Sequence, residues 1–134
     1  MTCPDCGKRH TPKQGCLSGV LLVCGGREYA DWQRAEATLD RVQARMEIAI
    51  LRHGLAPDAD SHAAYWAHRR GVTQEPMPAD WNAHGRGAGP RRNAAMLARE
   101  PRPVACVAFP GGRGTADMVK RCKAAGVPVW EIEP

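Results

Sequence analysis

Apolar residues in this chain gather into two kinds of pattern, short continuous runs and stripes spaced three and four apart, and the two kinds alternate. Residues 20–24 (VLLVC) form the first run. Ended by Gly25-Gly26, it reads as a strand buried on both faces. Trp32, Ala35, Leu39, Val42 and Met46 follow at helical spacing behind Asp31, a good N-cap, and predict an amphipathic helix. Residues 47–51 (EIAIL) read as a second strand, running out at His53-Gly54 and a polar turn through Pro57, Asp58 and Asp60. A second helix is expected from Asp60 or Ser61 to Arg70, stopped by Gly71.

Residues 72–76 read as a short strand. Pro76, Pro78 and several glycines then predict a long irregular loop carrying Trp81, His84, Arg86 and Arg91, and loops of that length in compact domains usually serve function. The pattern continues with a short helix over 92–99, the clearest buried strand over 104–109, a helix over 115–125 closed by Gly126, and a last strand over 127–132. Strands alternating with helices at this pitch predict an α/β fold of three layers, Rossmann-like, with a mostly parallel sheet of about five strands. Residues 1–18 are set apart as a polar, cysteine-containing tail, and residues 19–134 form the domain.

Composition narrows the function. A chain of 134 residues with 43% hydrophobic content fits one core. Its apolar runs are too short for a membrane span and no secretory leader is evident, so a cytoplasmic address without membrane contact is the expectation. Lys and Arg number 19 against 14 acidic residues, a net charge of +5. That balance favours anionic ligands and is modest for a dedicated DNA binder. Of the six cysteines, Cys24, Cys106 and Cys122 fall in apolar segments and read as small core hydrophobes in a reducing compartment.

Candidate chemistry concentrates in the loops. Phe109-Pro110-Gly111-Gly112-Arg113-Gly114-Thr115 leaves a buried strand and enters a helix, as a phosphate cradle does: glycines permit close approach and positive φ, and uncovered amides at the helix start point at an anion. Gly25-Gly26-Arg27 and His53-Gly54 follow two other strands, so three loops converge on the carboxyl rim of a parallel sheet, where ligands settle. The reading assigns Gly111, Gly112, Gly114 and Thr115 to phosphate, Arg113 to clamping the anion or facing solvent, Arg92 to the charged partner and Asn93 to a base or sugar edge. Trp81 is either a stacking platform for a nucleobase or a packed loop anchor. Asp60 and Asp117 are carboxylates suited to capping or to catalysis, and His53 and His84 are placed in loops where they could titrate near neutrality.

At the N-terminus, Cys3-Pro4-Asp5-Cys6 with His10 and Cys16 has the spacing C-x2-C-x3-H-x5-C. Four such ligands suit tetrahedral zinc, and the set is close to single-strand-binding knuckles. A reduced, unliganded tail is the competing reading, since no second C-x-x-C pair follows. The domain itself calls for no cofactor.

Cys24-Gly25-Gly26-Arg27-Glu28-Tyr29, Pro78-Ala79-Asp80-Trp81, Gly85, Ala88-Gly89-Pro90, Arg92-Asn93, Met96 and the 110–115 loop, in this order, resemble the SLOG superfamily of Rossmann-like domains. The nearest branch is the small YspA/YpsA-related group of phages and bacteria, and the resemblance covers about residues 20–132. It implies binding of a nucleotide or nucleotide-derived ligand, and relatives often form homo-oligomers. The superfamily includes phosphoribohydrolases, which resemble this chain at the glycine loop and at Arg92 but place a catalytic Glu where this chain has Met118. Asp117 is next to it and points about 100° away on a helix. If the protein is an enzyme, N-glycosidic hydrolysis with Arg92 and Asp117 is the reaction implied. DNA-processing relatives bind single strands, but no basic and aromatic stripe here matches them, so nucleic acid is not the favoured partner.

Overall fold

The computed structural model describes residues 18–26, 29–54 and 59–133, with the backbone alone at Asp60. Among the described residues five strands, β1 (Ser18–Cys24), β2 (Glu47–His53), β3 (Thr73–Pro76), β4 (Pro103–Ala108) and β5 (Val129–Glu131), form one sheet in the order β3-β2-β1-β4-β5. Every pairing is parallel. The predicted α/β class and strand number are therefore borne out, and the sheet is wholly parallel.

Alternation along the central strands sends side chains to two separate cores. Leu21, Val23, Ala105 and Val107 join Ala35, Leu39 and Val42 of helix α1 (Trp32–Gln43) and Ala63, Trp66 and Ala67 of α2 (Ala59–Arg70). Leu22 and Cys106 face the other way, onto Met96 of α4 (Ala88–Ala98) and Met118 and Cys122 of α5 (Arg113–Ala124). The sheet is thus covered on both faces, which explains why β1 and β4 read as continuous apolar runs.

Helix ends follow the sequence. The Asp31 side chain accepts from the Arg34 amide at 3.1 Å, as its N-cap role requires. Gly71 and Gly126 sit just past α2 and α5 with φ of 69° and 76°, the left-handed termination that glycine favours. Because α2 begins at Ala59, Asp60 lies inside its first turn and is not its cap.

The irregular loop expected after β3 is largely helical. A short helix, α3 (Trp81–His84), is capped by Asp80, a 3-10 turn covers Gly85–Gly87, and α4 begins at Ala88. Gly89 and Pro90 disguise that start. Proline has no N–H to donate, but first-turn N–H groups have no helical acceptor anyway, so it fits there. His53 and His84 also lie in elements, the first buried at the end of β2 and the second in the last turn of α3.

One buried charge holds α4 against the sheet. Arg52 in β2 is 0% exposed. It pairs with Glu75 of β3 and donates to the carbonyls of Met96 at 2.7 Å, Arg99 at 3.3 Å and Pro101 at 3.0 Å. Carbonyls at a helix C-terminus lack partners within the helix, so a buried guanidinium satisfies them and favours their negative dipole end.

Candidate functional site

The order β3-β2-β1-β4-β5 reverses direction between β1 and β4. From there the chain leaves β1 for α1 on one face and leaves β4 for α5 on the other, which opens a crevice at the strands' carboxyl ends. A cavity of about 1220 Å³ occupies this position and touches Gly25, Gly26, Gly54, Arg92 and residues 110–115. The three loops singled out by the sequence do converge.

Close backbone contact explains the first glycines. The Gly26 amide donates to the Pro110 carbonyl at 2.9 Å, and the Phe109 amide to the Cys24 carbonyl at 2.9 Å. A Cβ on Gly26 would lie 2.8 Å from the Pro110 oxygen, and one on Gly111 would lie 2.2 Å from Thr115 Oγ1 and 2.6 Å from the Gly26 nitrogen. Side chains there would part the two loops.

Gly112 and Gly114 are different. A Cβ on either meets nothing within 4 Å. None of Gly111, Gly112 and Gly114 has positive φ, so the conformational role predicted for these glycines does not hold. Their bareness opens space at the start of α5. The Ala116 amide is the first to reach a helical acceptor, the Gly112 carbonyl at 3.0 Å, and no side chain caps the helix. The amides of Arg113, Gly114 and Thr115 precede that acceptor and form the positive end of the helix dipole.

Charged groups on the wall are held by a chain of hydrogen bonds from β2 to α5. Arg92 Nη1 donates to the Gly54 carbonyl at 2.8 Å and its Nε to Asn93 Oδ1 at 3.0 Å. Asn93, 4% exposed, donates through Nδ2 to the Gly114 carbonyl at 3.1 Å and to Asp117 Oδ2 at 3.0 Å. Arg121 Nε donates to the same carboxylate oxygen at 2.8 Å. Gly54 is part of this arrangement, because a Cβ there would lie 2.0 Å from Arg92 Nη1.

Asp117 lies in the second turn of α5, not the first as the sequence suggested. Desolvation raises its pKa, but the hydrogen bonds from Asn93 and Arg121 and the nearby cations outweigh it and hold the carboxyl below its ordinary range. Asp117 is the one acidic residue among the described residues lining the cavity, against Arg86, Arg92 and Arg113. Met118 is 1% exposed and packs with Met96 and Cys122.

Cys24 is half-buried on the cavity wall and Cys106 is buried beneath it, their sulfurs 3.9 Å apart. Hydrogen bonding with Cys122 and Cys24, together with burial, pushes the Cys106 thiol up, out of the reactive range. Tyr29 also lines the cavity. Its ring stacks on Phe109 at 5.2 Å, its carbonyl accepts from His62 Nε2 at 2.9 Å, and its hydroxyl is buried with no partner among the described residues.

Arg27 and the cysteine-histidine set Cys3, Cys6, His10 and Cys16 lie outside the described residues. No helix among the described residues is long and apolar enough to cross a membrane. Sequence reasoning missed Gly54 as a seat for Arg92, and the bracing role of Arg52. An arginine inside the apolar β2 run was the available signal for the latter.

Comparison with known proteins agrees with this geometry. The model of the YspA, cpYpsA-related SLOG family (YAcAr) matches residues 20–84, the segment from β1 to α3. The "Gene 61 protein" of Mycobacterium phage D29 is 36% identical over 117 residues, an alignment covering 81% of this chain and 92% of the phage protein. No solved structure matches significantly. The switch-point cavity, the glycine turn after β1 and these two matches lead to one assignment: the chain belongs to the YspA, cpYpsA-related SLOG family.

Proposed function

We propose that the cavity between the β1 and β4 loops binds a nucleotide or nucleotide-derived ligand, with a phosphate seated on the amides that open α5. The observation that carries this reading is the bareness of Gly112 and Gly114, which neither positive φ nor packing demands. Leaving those positions without side chains keeps the space around the first turn of α5 clear, where the amides of Arg113, Gly114 and Thr115 have no helical acceptor, and a helix start of this kind favours an anion. Three arginines against one already paired carboxylate give the wall a matching sign.

Arg92 is the charged partner in this reading. Gly54 and Asn93 fix one side of its guanidinium. Asn93 supports from behind, since both hydrogens of its amide are spent on the protein. Turnover is not part of the proposal: Met118 stands in the apolar core where phosphoribohydrolase relatives carry a carboxylate, and Asp117 is ion-paired and a weak base.

Calorimetric titration with nucleoside mono- and diphosphates and ADP-ribose tests the reading. Saturable binding by one of them is expected. Arg92→Ala should weaken it by about 1.5 to 3 kcal/mol, the size of a hydrogen bond to a charged group. Gly114→Ala should leave the fold as stable or more so, since alanine is the better helix former, yet reduce affinity by putting a methyl group over the amides. Absence of saturable binding by every compound would overturn the proposal.

A further inference from the structure

The three arginines that line the cavity are not equivalent. Arg92 is pinned. Its Nη1 donates to the Gly54 carbonyl and its Nε to Asn93 Oδ1, and Gly54 has no room for a Cβ beside that guanidinium. A cation held this way serves one phosphoryl group at one place. Arg86 and Arg113 are exposed, and among the described residues neither side chain has a hydrogen bond or an ion pair. Arg86 stands between two glycines in the 3-10 turn before α4, and Arg113 is the first residue of α5, so the two reach the cavity from different elements.

Their charge has no counterpart in the protein. Asp117, the one carboxylate on the wall among the described residues, is already paired with Arg121. That leaves three guanidinium charges, and the start of α5 adds the equivalent of about half a charge. A phosphate monoester brings about two negative charges at most near neutral pH. One phosphate therefore leaves the wall positive by more than a unit charge, and a second phosphoryl group removes the excess. Guanidinium suits that task, because its planar fork meets two phosphate oxygens at once. Space is not limiting: the cavity volume of about 1220 Å³ lies above the usual range for small-molecule pockets.

We infer that the ligand is a diphosphate, either a nucleoside diphosphate or a compound built on one, and that Arg86 and Arg113 hold the phosphoryl group beyond the one seated on α5. The inference rests on the phosphate-seat reading above and narrows its ligand class.

The test titrates nucleoside 5′-monophosphates and the matching diphosphates into the full chain and into Arg86→Gln, Arg113→Gln and Arg91→Gln. In the unaltered protein at least one diphosphate should bind about tenfold or more tightly than its monophosphate, as expected when charge-assisted hydrogen bonds are added. Arg86→Gln and Arg113→Gln should each remove about tenfold from the diphosphate and leave the monophosphate within about threefold. Arg91 is the control for charge alone: it is exposed on the first turn of α4 and does not line the cavity, so its variant should keep the ratio. Melting curves show whether each variant folds, and if a glutamine variant does not, lysine at the same position, which keeps the charge and loses the fork, should show a partial loss of the ratio. Equal affinity for mono- and diphosphate in the unaltered protein, an unchanged ratio in the variant at either Arg86 or Arg113, or the same loss in Arg91→Gln would overturn the inference and leave the phosphate seat standing. Binding of neither member of any pair to the unaltered protein would overturn the seat, and the second phosphate with it.

Discussion

Single residues near the cavity separate into those that packing requires and those it does not. Gly26 and Gly111 are demanded by the approach of two backbones. Tyr29 is the opposite case, because its hydroxyl is buried with nothing to bond among the described residues. An unmet buried polar group costs about 1 to 3 kcal/mol, so Tyr29→Phe should leave stability unchanged or raise it while the Phe109 stack is kept. Urea denaturation checks this, and a loss above about 1 kcal/mol would mean that the hydroxyl has a partner.

The sequence made the glycine loops legible because glycine between a strand and a helix is a strong local signal. It could not separate Gly111 from Gly112. That distinction depends on what stands opposite each one: Gly111 meets Thr115 and the Gly26 backbone in the loop after β1, and Gly112 meets open space.

At the level of elements, Arg52 carries an unusual share. One side chain joins β2, β3 and the carbonyls at the end of α4. Replacing it with methionine keeps the volume but strands those carbonyls and leaves Glu75 with Arg99. Arg52→Met should therefore destabilise the protein by about 2 to 4 kcal/mol, read as a lower urea midpoint. Arg92 and Asn93 sit on the same helix as Met96, so slippage of α4 should appear as weaker ligand binding too.

Strands β1, β2 and β4 and helices α1, α2 and α5 are readable from periodicity, with ends within a few residues. The α3–α4 region is readable only in part: the helix predicted over 92–99 is the body of α4, but α3 and the first turn of α4 are missed. Its glycines and prolines occupy turns and a helix's first turn, where their usual meaning as breakers misleads, and the Asp80 cap was the cue to the correct reading.

For the molecule as a whole, acid is the informative perturbation. Asp40 and Asp117 both titrate below the ordinary carboxylate value of 3.8. In each, desolvation pushes upward and is outweighed by hydrogen bonds, from Trp66 and Arg70 to Asp40 and from Asn93 and Arg121 to Asp117. A carboxyl whose folded pKa is depressed adds stability above its unfolded pKa and loses it as pH falls through the folded value. Unfolding free energy should hold from pH 7 down to about 5 and drop below about 4. Denaturation curves at pH 7 and pH 3 check this: Asp40→Asn and Asp117→Asn should each show a smaller drop than the unaltered chain.

The arrangement of the sheet also bears on synthesis. Cys24 at the end of β1 pairs with Ala108 at the end of β4, so the walls of the crevice come from opposite halves of the chain. A nascent polypeptide with β1 to β3 already outside the ribosome holds one wall of the crevice and lacks the 110–115 loop that forms the other. Domains form as units during translation, and here the crevice is complete only once β4 and the start of α5 have been made, so a chain cut before them lacks the cavity.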